Sequence, residues 1–236
     1  MERFGILETV RVERGKAVLV EYHYRRIRES SRALSLPFNL SPEEFEERIT
    51  EAAGNGLKLV RFTLFRNGKT EISVRECRKK ESVSLLPVYS VKRVFSALSL
   101  HKTVDVMDSI YALEEAKKAG YDEALLFDEK GFLSETAFAN LFFYRDGVLF
   151  TPSLKTGCLP GTRREFLREL CREMGLPLIE GFFTLKDLLT ADEVFITSAR
   201  EDACPVRKVG RFPVKRVEGK PLYQRVKEVI EEVCFR

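Results

Sequence analysis

Apolar and polar positions alternate from Ile6 to Val12, break at Arg14-Gly15-Lys16 and resume from Ala17 to Val20, a pattern that predicts a β-hairpin. Ile27, Ala33 and Leu34 then recur at roughly helical spacing between His23 and Leu36, with Pro37 as the stop. Ser41-Pro42-Glu43-Glu44 supplies a cap, a first-turn proline and a capping-box glutamate ahead of Phe45 and Ile49, so a helix starts there. Gly54-Asn55-Gly56 ends it. Two strand patterns, Leu57 to Phe65 and Thr70 to Arg75, flank the turn at Asn67-Gly68. Residues 86–102 have no clean period and contain Pro87 and Ser96, which reads as a connection between domains.

The second half opens with Asp108 as an expected N-cap, apolar Ile110, Leu113 and Ala116 on a helix, and Gly120 as its end. Strands are expected over Glu123 to Phe127, Phe138 to Tyr144 and Val148 to Phe150, in an antiparallel sheet. A helix from Glu165 to Met174 carries Phe166, Leu167, Leu170, Cys171 and Met174 on one face. A strand from Glu193 to Thr197 and a helix from Leu222 to Val233 complete the map. The pattern predicts an α+β protein of two domains, a small one over 1–95 and a larger one over 96–236.

The 236 residues, 44% of them hydrophobic, suffice for a buried core, and no apolar run is long enough to span a membrane. Forty basic against 36 acidic residues leave a net charge of +4, too small and too evenly spread for a nucleic-acid footprint. Five cysteines without a CxxC pair and only two histidines argue against a disulfide framework and against a metal site. The opening Met-Glu-Arg-Phe-Gly has no signal-like apolar segment, and the expected compartment is the cytoplasm.

Four stretches could carry chemistry. Leu159-Pro160-Gly161-Thr162-Arg163-Arg164 precedes an amphipathic helix, where opening amides and the helix dipole favour a phosphate, although most such turns are only helix entries. Thr197-Ser198-Ala199 offers small hydroxyl residues after an apolar strand. Glu135, in Leu133-Ser134-Glu135-Thr136, reads on base rate as a loop acid and otherwise as a buried functional carboxylate. His23 and Arg26 would neighbour each other on a helix whose ordinary reading is a solvated basic face. Lys102 alone is one lysine among many.

Taken in order, these stretches resemble the class IV, or fold-type IV, family of pyridoxal-phosphate-dependent aminotransferases. The resemblance rests on Leu7-Glu8-Thr9, His23 to Arg26, Lys102, Gly120 to Leu125, Glu135 with Asn140-Leu141-Phe142, Thr151-Pro152, Leu159-Pro160-Gly161 and Ala191 to Phe195. It implies a D-amino acid aminotransferase-like fold, with a small N-terminal α/β sandwich and a larger domain built on a barrel-like sheet. It further implies that Lys102 carries pyridoxal 5′-phosphate as a Schiff base and acts as the catalytic base. Glu135 would pair with the pyridine nitrogen, and Arg26, Gly161, Thr162, Arg163, Ser198 and Ala199 would hold the phosphate. A homodimer acting on a small-molecule amine is the implied assembly, with neither nucleic acid nor membrane as partner.

Three features bear on the reaction. Met107 stands five residues after Lys102, where the family usually has a tyrosine against the cofactor ring. Thr197-Ser198-Ala199-Arg200-Glu201 is similar to the turn of aminodeoxychorismate lyases, and the chain between Cys77 and Lys102 is short. The implied reaction is formation of 4-aminobenzoate and pyruvate from 4-amino-4-deoxychorismate. The alternatives are a branched-chain or D-amino acid aminotransferase and, from another class, a non-catalytic basic binding module.

Overall fold

A computed structural model describes residues 4–215 and 219–235. The first three residues of the opening stretch therefore lie outside the described part. The chain forms two compact units, one made of Met1–Lys79, His101–Asp105 and Ile230–Arg236, the other of Lys80–Leu100 and Val106–Val229.

Unit 1 is a four-stranded antiparallel sheet covered by helices. β1 (Gly5–Glu13) turns at Arg14 and Gly15 into the two-residue β2 (Lys16–Ala17), and α1 (Val20–Ala33) follows at once. The hairpin is thus shorter on its second side than its apolar pattern suggests. Leu19 adopts a left-handed conformation, φ 53°, and there converts the strand direction into a helix. α2 (Pro42–Ala53) starts as expected: Ser41 Oγ accepts from the Glu44 amide at 3.1 Å and the Glu44 carboxylate accepts from the Ser41 amide at 2.7 Å. β3 (Lys58–Phe65) and β4 (Thr70–Glu76) form the hairpin at Asn67-Gly68 and complete the order β2-β1-β3-β4. Alternate residues of one sheet face, Ile6, Val10 and Val12 with Val60, Phe62 and Leu64, pack on Ile27, Phe45 and Ile49 of the two helices. Residues 101–105 extend this sheet's edge, with an antiparallel bridge between Ile6 and Thr103.

Unit 2 is built on a mixed, curled sheet. β5 (Val83–Arg93) leads towards α3 (Met107–Lys118), then β6 (Glu123–Asp128), β7 (Leu133–Thr136), β8 (Asn140–Arg145), β9 (Val148–Pro152), α4 (Thr162–Glu173), β10 (Leu178–Gly181), α5 (Leu185–Leu189), β11 (Glu193–Thr197), β12 (Cys204–Val209), β13 (Phe212–Pro213) and the first part of α6 (Leu222–Phe235), whose residues from Ile230 on belong to unit 1. The strand order is β10-β9-β8-β11-β12-β5-β6-β7, with β13 paired to β12. Leu85, Leu125, Leu133, Leu141, Phe143, Ile196 and Val206 come from six strands yet share one core, because the sheet curls around them as a half-barrel. β6 is buried on both faces: Leu125 and Phe127 point into that core, while Ala124 and Leu126 lie against Ala112 and Ala116 of α3.

The expected antiparallel pairing holds for β8 with β9, and β6 pairs antiparallel with β7, but the sheet as a whole is mixed. β5 with β6, β12 with β5, and β9 with β10 run parallel, and such pairs form only through long crossovers, which here include α3 and α4. The supposed connection over 86–102 is also corrected, since its first eight residues, 86–93, belong to β5. Its register with β6 shifts between Pro87 and Lys92, which destroys the alternation that would reveal a strand. Residues 80–95 therefore belong to unit 2. α3 begins one residue before Asp108, with Val106 in the cap position and no side-chain cap bond.

Candidate active site

In unit 1 the functional candidates collect on β1 and its neighbours. The Leu7 amide donates to the Lys102 carbonyl at 2.8 Å, and the Val104 amide donates to the Gly5 carbonyl at 3.0 Å. Lys102, half-buried, is thereby fixed beside β1 by main-chain bonds, and a lysine held in this way has a defined root for its long side chain. Next to it His101 Nδ1 lies 3.0 Å from Ser30 Oγ on α1.

Glu8 follows Leu7 and falls on the core-facing side of β1, opposite α1. A carboxylate there requires partners. His23 Nδ1 lies 2.6 Å from Glu8 Oε2, Arg26 Nη2 donates to the same oxygen at 2.6 Å, and Arg26 Nε donates to Oε1 at 2.7 Å. Burial pushes the Glu8 carboxyl up, but the Arg26 charge and the bonds from His23 and Arg26 outweigh it and hold the group at about 2. The helical spacing of His23 and Arg26 puts both on Glu8. The basic stretch is consequently not a wholly solvated face, since His23 is fully buried and Arg26 is half-buried. The Glu8 partnership was not read from the sequence, and the signal available was an acid between apolar neighbours on a strand.

In unit 2 Glu135 is within β7 and buried, which overturns its reading as a loop acid. Its Oε1 lies 2.9 Å from Arg93 Nε at the end of β5, and its Oε2 accepts from the Leu159 amide at 3.1 Å. Arg93 also donates from Nη2 to Ser109 Oγ on α3 at 2.6 Å. An ionised Glu135 next to a guanidinium and an amide suits the anchor of a cationic ring nitrogen. Arg93 has no distinguishing motif and was not anticipated.

Glu135 leads directly to the phosphate-type turn. Leu159 is followed by Pro160 and by Gly161, the N-cap of α4, so Thr162 and Arg163 occupy the helix's first turn. Asn140 Nδ2 donates to the Leu159 carbonyl at 2.8 Å. Asn140 pairs in register with Thr197 at the end of β11, which brings the second turn, Ser198 and Ala199, to the same edge of the sheet. Arg163 is buried, and its Nε lies 3.3 Å from Asp202 Oδ1. The Asp202 amide donates to the Ser198 carbonyl, closing that turn.

Thr197 Oγ1 tests whether this end of unit 2 suits a phosphate. The hydroxyl is buried and has no hydrogen-bond partner among the described residues, an expensive state unless a polar group meets it. A phosphate oxygen is the acceptor such a hydroxyl and the helix-opening amides can share. The residues present therefore fit the phosphate and pyridine ends of pyridoxal phosphate. Among the described residues no group of histidine, cysteine and acidic side chains could hold a metal ion.

Comparison with known proteins agrees with this donor set. The profile of the family described as "Amino-transferase class IV" matches residues 5–209, and the chain belongs to that family. It is accordingly an enzyme of the pyridoxal-phosphate-dependent class IV type, with the fold-type IV architecture. It is 28% identical to the "Putative branched-chain-amino-acid aminotransferase" of Methanocaldococcus jannaschii, over 97% of this chain and 86% of that protein. It is 25% identical to the aminodeoxychorismate lyase of Bacillus subtilis, over 87% of this chain and 77% of that one. Among solved structures, the branched-chain aminotransferase of the thermophilic archaeon Thermoproteus uzoniensis with norvaline shares the fold, with a TM-score of 0.86 at 24% identity. That match covers 98% of this chain and 85% of that chain.

Proposed function

We propose that this chain is the lyase that converts 4-amino-4-deoxychorismate to 4-aminobenzoate, the folate precursor, and pyruvate. The observation that carries this reading is how the chain between Cys77 and Lys102 is used. β5 takes 11 of those residues and a 3-10 turn another three, so little is left for a loop that would receive the carboxylate of a second substrate. A lyase binds one amine per turnover, whereas a transaminase accepts two substrates in one site. Similarity to the Bacillus subtilis lyase supports the same reading.

When bound, pyridoxal phosphate supplies an electron sink for the carbon that bears the substrate amine. Lys102 anchors the cofactor and then, as the freed amine, takes the proton from that carbon. The ring–oxygen bond breaks, enolpyruvate leaves, and the proton returns to it to give pyruvate; no water or oxidant is consumed. Glu135, kept in place by Arg93 and the Leu159 amide, pairs with the pyridine nitrogen and keeps it protonated. Gly161, Thr162 and Arg163, with Ser198 and Ala199, hold the phosphate through helix-opening amides and hydroxyls. Arg26, oriented by Glu8 within unit 1, is a further guanidinium proposed for phosphate binding. Met107, two-thirds exposed, offers no phenolic hydroxyl to the ring.

Incubation of the cofactor-loaded protein with 4-amino-4-deoxychorismate should release 4-aminobenzoate. If none forms while branched-chain amino acids convert the cofactor to its pyridoxamine form, the second reading, a branched-chain aminotransferase, replaces the first. That reading is favoured by the Methanocaldococcus jannaschii relative, which aligns with nearly the whole chain.

We assign the protein to a homodimer, supported by the exposed apolar side chains of Tyr89, Val94, Phe95, Leu98, Met107 and Tyr111 on unit 2. Light scattering on the purified protein decides it. Among the described residues no helix is long and apolar enough to cross a membrane. Cys158, Cys171 and Cys204 are buried and form no disulfide, which suits a reducing compartment such as the cytoplasm.

A further inference from the structure

We infer that Asp202 and Arg163 are positioning residues that join the two phosphate turns into one rigid cup, so that cofactor affinity depends on a buried ion pair beneath it. This rests on the reading of residues 159–163 and 197–202 as phosphate turns.

The two turns come from distant parts of the chain, one opening α4 and the other ending β11. Their main-chain connection runs through the pairing of Asn140 with Thr197 and the bond from Asn140 to the Leu159 carbonyl. That link reaches the start of the first turn, at Leu159. The Arg163 and Asp202 side chains supply a further tie. Arg163 Nε lies 3.3 Å from Asp202 Oδ1, both residues are buried, and Arg163 Nη1 donates to Thr162 Oγ1 at 3.4 Å. A guanidinium at the start of a helix opposes the helix dipole and costs desolvation, so its burial there needs the carboxylate.

The Asp202 backbone is shaped for the same role. Its φ of +57° is in the left-handed region, which aspartate, like asparagine and glycine, adopts more readily than other residues. The conformation lets its amide reach the Ser198 carbonyl at 2.9 Å while the carboxylate points at Arg163; the Glu201 amide donates to Ser198 Oγ at 3.3 Å. A residue that closes one anion-facing turn and grips the other is placed to set the distance between them. The tie also holds the Arg163 side chain towards the 198–202 turn, so that position serves the phosphate through its amide.

The test compares pyridoxal phosphate with pyridoxal, which lacks the phosphate, on the full chain after cofactor removal. In Asp202→Asn, which tolerates the left-handed backbone, pyridoxal phosphate should bind about tenfold more weakly, the size of coupling within one polar network, while pyridoxal binding stays within about twofold. Arg163→Lys keeps the charge but loses the fork, and should show the same selective loss. Combining the two should cost little more than either alone. An unchanged ratio of the two affinities in both variants, or an equal loss for both ligands, overturns the proposal. If Asp202→Asn does not fold, Arg163→Lys carries the test alone. A wild-type protein that binds the two ligands equally would instead refute the phosphate-turn reading itself.

Discussion

Gly161→Ala perturbs the cofactor cup at a single atom. Gly161 has an ordinary φ of −72°, so alanine meets no backbone penalty. Its Cβ, however, would lie 1.9 Å from Asn140 Oδ1, far inside contact distance. Asn140 is 5% exposed, and its Nδ2 holds the Leu159 carbonyl, so its amide can withdraw only by breaking that bond. Losing the bond to the part-buried Leu159 carbonyl, or else forcing the methyl into the packed site, costs about 1–3 kcal/mol. The variant should therefore lose about 2 kcal/mol of unfolding free energy in urea, read from a shifted midpoint at constant slope. Asn140→Ala removes both the clash and the bond. The double variant should be more stable than the sum of the two single losses allows, by about 1 kcal/mol or more. Strict additivity, or a Gly161→Ala protein within about 0.5 kcal/mol of wild type, would show that Asn140 does not fix the turn.

Two acids give opposite pH signatures. Glu8 is held at about 2, below its ordinary 4.5, so its contribution of about 3 kcal/mol is complete above pH 4.5 and is lost as the pH falls towards 2. Glu8→Gln should be destabilised by about that amount at neutral pH, with the gap to wild type closing below pH 4.5; a constant gap in acid titrations of stability would be inconsistent with the Arg26 and His23 pairing. Glu123, by contrast, is raised from 4.5 to about 7, because burial outweighs the Ala124 amide and the Arg200 and Lys80 charges. Its protonated form suits the folded state, so stability is full below pH 4.5 and declines as the pH rises through 7. Glu123→Gln should match wild type at about pH 4 and exceed it by about 1–3 kcal/mol at about pH 8; equal stabilities at the higher pH count against the assignment.

Local chemistry was legible where the chain alone dictates it. The capping box at Ser41 and Glu44, the Asn67-Gly68 hairpin and the strand Glu193–Thr197 all follow from short-range signals, and the structure has them at those positions. β5 was not legible, because its register shift and Pro87 erase alternation, and parallel pairing leaves no mark in adjacent residues. Glu135 looked like a loop acid because Ser134, Glu135 and Thr136 are polar in sequence. In the fold their partners come from elsewhere: Thr156 for Ser134, Arg93 and Leu159 for Glu135, and Ala139 for Thr136. Glu8, Arg93 and Asp202 were missed for one reason. Each acts on another side chain across a tertiary contact, and sequence spacing records only contacts along one element.

Lys102, as the residue that carries the cofactor, is the centre of the functional reading. Borohydride reduction of the protein loaded with pyridoxal phosphate, followed by peptide mass mapping, should find the phosphopyridoxyl group on Lys102. In Lys102→Ala it should be absent, along with the visible absorption band of the loaded protein. A group attached mainly to another lysine, such as Lys80, or a wild-type protein that stays colourless with cofactor present, would contradict that role.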